Sequence, residues 1–159
     1  MRFRLLMLTA AICAVMALGA SAVPAGAGPG NIHDDFYNPA VIGRNIVNQT
    51  LQGNTLGATT QYCEPRTGGS SVWIRFIGHN HRDRVYLNTN GSNFDTTLAV
   101  FSGGNICNLT PIAFDDDSGS GLQSRLSFVS RAYRNYYIRV DGYQGAQGNF
   151  NLRVRRVRF

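Results

Sequence analysis

Ser71-Val72-Trp73-Ile74-Arg75-Phe76-Ile77 is the stretch on which the fold turns. In an extended chain Val72, Ile74 and Phe76 fall on one face, the period of two that marks a strand with a buried side. The same pattern recurs outward from it. Val85 and Leu87 alternate within Arg84 to Thr89, and Phe150, Leu152 and Val154 alternate with Asn151, Arg153 and Arg155. Thr97 to Phe101, Ile112 to Phe114, Arg125 to Val129 and Tyr136 to Val140 are further short strands, with weaker ones at Val41 to Ile46 and Thr50 to Thr60. Turn chemistry separates them at Asn90-Gly91, Ser102 to Asn105, Ser118 to Gly121 and Asp141-Gly142. No sustained helical period and no internal repeat occurs. Eight or nine short strands at this spacing predict an all-β, antiparallel sandwich of jelly-roll type, with a closed barrel as the alternative.

The N-terminus speaks to compartment. Arg2 and Arg4 precede an apolar run from Leu5 to Leu18, and small residues follow, with Ala20-Ser21-Ala22 and Ala25-Gly26-Ala27 as cleavage sites. That is the build of a secretory signal peptide, residues 1–27. The run is shorter than the roughly 20 apolar residues a membrane span needs. Residues 28–35 read as a flexible leader and 36–159 as one β-sandwich domain, exported and free of a membrane span once the signal is removed. Cys13 leaves with the signal, so Cys63 and Cys107 remain. An even pair in an oxidising compartment reads as one disulfide, the alternative being two buried thiols.

All 15 basic residues are Arg, and signal removal leaves 13 against nine acids. Arg153, Arg155, Arg156 and Arg158 crowd the C-terminus, where a solvated tail is the expectation; an exported chain has little occasion to meet nucleic acid. Catalytic patterns are absent: there is no Gly-x-Ser-x-Gly, no His-Glu-x-x-His and no phosphate-binding glycine loop. His79 and His81 form a His-x-His of the kind some metal sites use, but Gly78 to Asp83 reads as an exposed hairpin loop. The chain is therefore expected not to be an enzyme. Asp115-Asp116-Asp117 packs three carboxylates at a strand end, a hard-oxygen set suited to Ca²⁺, with a solvated turn in which an Asp caps backbone N–H groups as the alternative. Most of the aromatic residues read as core, and Tyr143, between Gly142 and Gln144, is expected to be exposed and to bind ligand.

The chain resembles the bacterial pre-peptidase C-terminal domain family over nearly all of its mature length. The resemblance rests on Asp34-Asp35-Phe36, on Glu64-Pro65 followed by Ser71-Val72-Trp73, and on Gly91 to Thr96 with Leu98-Ala99-Val100. The Asp115 to Asp117 turn, Tyr136 to Gly142, and Gly148-Asn149-Phe150-x-Leu152 complete it. It implies a non-catalytic module, with collagen and calcium as ligands of the collagenase-attached relatives. In those relatives acids ahead of the first strand join loop acids, which by analogy brings Asp34 and Asp35 to Asp115, Asp116 and Asp117. His33 in place of the family's Asn, the third Asp of the turn and the His79 to Asp83 loop depart from the pattern. The expected function is a secreted binding module for an extracellular polysaccharide or fibrous protein, with Ca²⁺ as candidate cofactor. The alternative is an envelope protein docking onto a partner protein through sheet faces or edges.

Overall fold

The computed structural model describes residues 34–65 and 68–159. Residues 1–27, read above as a signal peptide, and most of the segment read as a leader lie outside the described residues. Among the described residues there are nine strands: β1 (Ala40–Ile42), β2 (Asn48–Asn54), β3 (Val72–Ile77), β4 (Asp83–Asn88), β5 (Thr96–Ser102), β6 (Thr110–Asp115), β7 (Arg125–Ser130), β8 (Asn135–Gly142) and β9 (Asn149–Arg158). Helical structure among the described residues is confined to two single 3₁₀ turns, Ile106–Asn108 and Tyr143–Gly145.

Two sheets pack face to face, ordered β1-β3-β8-β5-β6 and β2-β9-β4-β7. The ladders are nested, with β5 on β6, β4 on β7, β3 on β8 and β2 on β9. A single long antiparallel hairpin folded over itself produces this nesting, and the result is a jelly roll. β1 stands outside the scheme, because it adds to β3 in parallel through Ala40↔Ile74 and Ile42↔Phe76. The period-two reading holds for the core between the sheets, where Val72, Ile74 and Phe76 meet Leu98, Val100, Ile138 and Val140 from their own sheet. Val85, Leu87, Phe128, Phe150, Leu152 and Val154 oppose them from the other.

The first sheet is buried on its outer face as well. There Trp73, Ala99, Phe101 and Tyr137 form a second apolar cluster, covered by Phe36, Ile106 and Leu109. Phe36 meets Trp73 edge-on at 5.2 Å and Tyr137 at 4.4 Å between ring centroids. The covering chain is sewn down by polar contacts. The Phe36 N–H donates to Gln61 Oε1 (2.7 Å) and Gln61 Nε2 donates to Asp35 Oδ1 (2.9 Å). The Cys63–Cys107 disulfide (S–S 2.23 Å, Cα–Cα 4.8 Å) ties this cover to the turn after β5.

The Arg-rich C-terminus is a strand rather than a solvated tail. β9 lies inside the second sheet between β2 and β4, so its residues alternate between core and solvent. Arg156 falls on the inner side and is 6% exposed. Its guanidinium donates to the carbonyls of Gly43 (2.8 Å), Arg44 (2.9 Å) and Ile77 (3.0 Å) and lies 4.1 Å from the Phe76 ring centroid. Burial pulls its pKa down from the usual arginine value, and the Asp83 carboxylate offsets part of that pull. Gly78 to Arg82 is also not a hairpin loop. β3 and β4 belong to different sheets, so this segment crosses from one to the other.

Candidate functional site

β6 is an edge strand of the first sheet and exposes Ile112 and Phe114. Beside it, on the outer face of that sheet, opens a groove of about 860 Å³ lined by Pro65, Thr97, Ala99, Phe101, Leu109, Pro111, Ala113, Phe114, Arg139 and Tyr143. Two proline rings, two phenylalanines and a tyrosine make the lining chiefly apolar. Tyr143 stands where β8 runs into its 3₁₀ turn, with its N–H donated to the Asp95 carbonyl at 3.0 Å. A side chain at Gly142 would collide with the Ala146 carbonyl, so glycine is required for the tight return that presents Tyr143. Tyr143 is exposed as expected, yet Tyr62 (92%) and Tyr133 (62%) are more so than its 46%.

Arg139 forms the floor of the groove. Only 2% exposed, it lies 5.9 Å from the Trp73 ring centroid and 5.7 Å from that of Phe101. It donates to the Pro65 carbonyl and pairs with Glu64 at 3.6 Å. Burial pushes the Glu64 carboxyl up from its ordinary value, against the Gln61 N–H that its Oε2 accepts (3.0 Å) and against the Arg139 charge. Asp141, fully buried, accepts N–H groups from Gly68 (2.5 Å), Ser70 (3.3 Å) and Gly142 (2.8 Å). These contacts tie the groove floor to the cover.

The acidic turn adjoins Tyr143 through Asp95. In the β5–β6 ladder Leu98 faces Asp115, so the residue just before β5 stands beside those just after β6. Asp95, Asp116 and Asp117 consequently bring one carboxylate oxygen each within 4.8 Å of one another. Asp115 does something different: its Oδ2 accepts N–H groups from Ser118 (3.0 Å) and Arg125 (2.7 Å), capping the turn. Asp34 and Asp35 are not in the group. Asp34 accepts from the Thr59 N–H and hydroxyl (3.2 and 3.0 Å), and Asp35 binds Gln61 and the Tyr37 N–H. Asp95 went unnoticed in the sequence because it is a lone acid twenty residues upstream; the register of a β5–β6 hairpin was the signal that could have found it.

Two observations fit this trio to a cation. Asp95 Oδ1 and Asp116 Oδ1 are buried and accept no hydrogen bond. Asp116 is pushed above the usual carboxylate value by desolvation and by Asp117, Asp95 and Asp115, and Asp95 is raised by desolvation and by Asp117. A hard divalent ion such as Ca²⁺ would supply the missing positive charge and use the orphaned oxygens.

No known family model matches the sequence, nor does any curated protein. Among solved structures the fold is similar to the pre-peptidase C-terminal domain of collagenase from Bacillus anthracis. That domain is 18% identical over 73% of this chain and 93% of its own length, with a TM-score of 0.49. PliG, a periplasmic lysozyme inhibitor of g-type lysozyme from Aeromonas hydrophila, is 16% identical over 74% of this chain and 95% of its own, with a TM-score of 0.45. Likeness at this level describes the course of the chain and says nothing about a ligand. Among the described residues no helix is long and apolar enough to cross a membrane.

Proposed function

We propose that the chain is a secreted, non-catalytic binding module whose groove beside β6 takes an extended segment of an extracellular fibrous or envelope protein. The observation that carries this is the pairing of an apolar, proline- and aromatic-lined groove with an edge strand. A polyhydroxylated glycan needs many polar partners, and this lining offers few. A peptide strand gains main-chain hydrogen bonds along a free edge and seats alternate side chains in apolar pockets. Tyr143 and Phe114 are the contact residues, and a Ca²⁺ ion on Asp95, Asp116 and Asp117 fixes the end of the groove where Tyr143 stands.

A second reading has its own observation. The outer face of the second sheet carries Arg153 between Thr50 and Asn88, with Arg125 beyond Asn88. It also carries Arg155 between Asn48 and Tyr86, the guanidinium 4.6 Å from the tyrosine ring centroid. These cross-strand rows contain no carboxylate, which favours an acidic polysaccharide.

One experiment separates the two. The mature protein is applied to insoluble collagen, peptidoglycan, chitin, cellulose and an immobilised uronic-acid polymer, in Ca²⁺ or in EDTA. Retention on a protein fibre, lost in a Phe114→Ser/Tyr143→Ala variant, supports the groove. Retention on the uronic-acid polymer, lost in Arg153→Ser/Arg155→Ser and at high salt, supports the basic face. Retention on none of them removes both.

A further inference from the structure

We propose that the crossing from β3 to β4 is a second metal site, for a borderline divalent ion of the Zn²⁺, Ni²⁺ or Cu²⁺ class, held by His79 and His81 and oriented by Asp83. The crossing is anchored at both ends. Gly78 donates its N–H to the Arg134 carbonyl at 2.7 Å, and the His79 carbonyl accepts from the Tyr133 N–H at 2.8 Å. A side chain at Gly78 would collide with the Arg131 carbonyl, so the chain lies tight against the β7–β8 turn. On this support the two imidazoles converge, with centroids 4.2 Å apart and planes at 66°. Their Nδ1 atoms are 2.8 Å apart, and the Asn80 Oδ1 lies 2.6 Å from His81 Nδ1. One atom each from His79, His81 and Asp83 falls within 4.8 Å of the others.

His81 decides which side of the ring the ion takes. Its Nε2 faces Asp83 Oδ1 at 2.9 Å, and Asp83 is only 3% exposed. A ligating histidine that gives its other ring N–H to a carboxylate is the usual outer partner of a metal site, because the bond fixes the tautomer and raises the basicity of the free nitrogen. With Nε2–H spent on Asp83, the His81 Nδ1 lone pair faces His79 Nδ1 and the Asn80 oxygen, an acceptor against an acceptor in the second case, and a cation bound there would offset that repulsion. Two nitrogens on a tetrahedral Zn²⁺ at about 2.0–2.1 Å would sit about 3.3 Å apart, so the rings need to open by only about half an ångström. Water completes the shell on the exposed side. The neighbouring guanidinium groups of Arg82 and Arg84 each lie 5.5 Å from the Phe159 ring centroid, stacked on that ring. An imidazole pair selects against Ca²⁺, which takes oxygen ligands, so this site and the Asp95 trio sort different ions.

The test uses untagged mature protein. Titration calorimetry with Zn²⁺ and Cu²⁺ should give one site that excess Ca²⁺ does not displace. The Cu²⁺ electron paramagnetic resonance spectrum should show coupling to two imidazole nitrogens. His79→Gln and His81→Gln should each weaken binding at least 100-fold, and Asp83→Asn by 10- to 100-fold. His33→Gln, which alters the third histidine in the chain, should bind like the wild type. Wild-type protein that binds neither ion at micromolar concentration overturns the proposal. So does binding that survives in both His79→Gln and His81→Gln, or that is lost in His33→Gln. The variants of the two half-buried histidines keep the test valid even where Asp83→Asn, at a buried position, fails to fold.

Discussion

Removing the Cys63–Cys107 bond should loosen the cover of the first sheet and lower global stability together. The bond joins residues 44 apart in sequence, so in the chain-entropy account its loss costs about 4 kcal/mol. A domain of about 125 residues has an unfolding entropy near 0.26 kcal/mol/K, which converts that cost into a fall in Tm of about 15 °C. A local readout is built in. Trp73 is the single tryptophan, fully buried beneath Phe36 and the Arg139 guanidinium. The measurement is a guanidinium titration of wild type and of a Cys63→Ser/Cys107→Ser variant, followed by circular dichroism and by Trp73 emission. The variant should lose about 4 kcal/mol by circular dichroism. Its Trp73 emission should shift red at lower denaturant than its ellipticity changes, because the cover leaves first. A loss below about 1 kcal/mol would refute the entropic argument. Coincident Trp73 and ellipticity transitions would refute the separable cover.

Acid–base behaviour should expose the Asp95 trio. Asp116 has its folded-state pKa raised, so the folded protein holds the proton more tightly and stability falls as pH rises from about the ordinary carboxylate value through the raised one. In EDTA, Asp116→Asn should therefore be more stable than wild type at pH 7, and the two should converge on acidification below the ordinary value. Added Ca²⁺ should raise the Tm of wild type and leave Asp116→Asn unmoved, as read by thermal melts at several pH values. Arg156→Ala should cost about 3–5 kcal/mol in a urea titration, because it strands three carbonyls in the interior and removes packing against Phe76. Phe114→Ser and Tyr143→Ala remove exposed ring atoms and, at Tyr143, one exposed hydrogen bond to Gln144, so both should keep the wild-type stability within about 0.5 kcal/mol while abolishing retention on fibre.

The jelly roll was legible in the sequence because its core depends on local alternation. Val72, Ile74 and Phe76 do go inward together, and the return strands supply matching rows. The outer cover is less legible, although the sequence carries one signal for it. Leu98-Ala99-Val100-Phe101 and Tyr136-Tyr137-Ile138-Arg139-Val140 do not alternate, and continuous runs of this kind mark strands buried on both faces. What no local pattern contains is the identity of the cover. Phe36 and Cys63 reach Trp73 and Cys107 across large sequence separations, and the parallel addition of β1 has no turn signal to announce it.

The same distinction accounts for the sites. Asp116 and Asp117 were visible as neighbours in sequence, whereas Asp95 joins them only through the β5–β6 register. His79 and His81 looked like a solvated hairpin because the apolar runs on either side were equally compatible with pairing to each other. Once β3 and β4 are placed in different sheets, the segment between them has to cross the edge of the sandwich under constraint. That constraint, imposed by Gly78 and by the Tyr133–His79 backbone bond, aligns two imidazoles over a buried carboxylate. A mobile loop of the same composition would have to bear the entropy of bringing those rings together on binding the proposed ion, whereas this crossing bears it during folding.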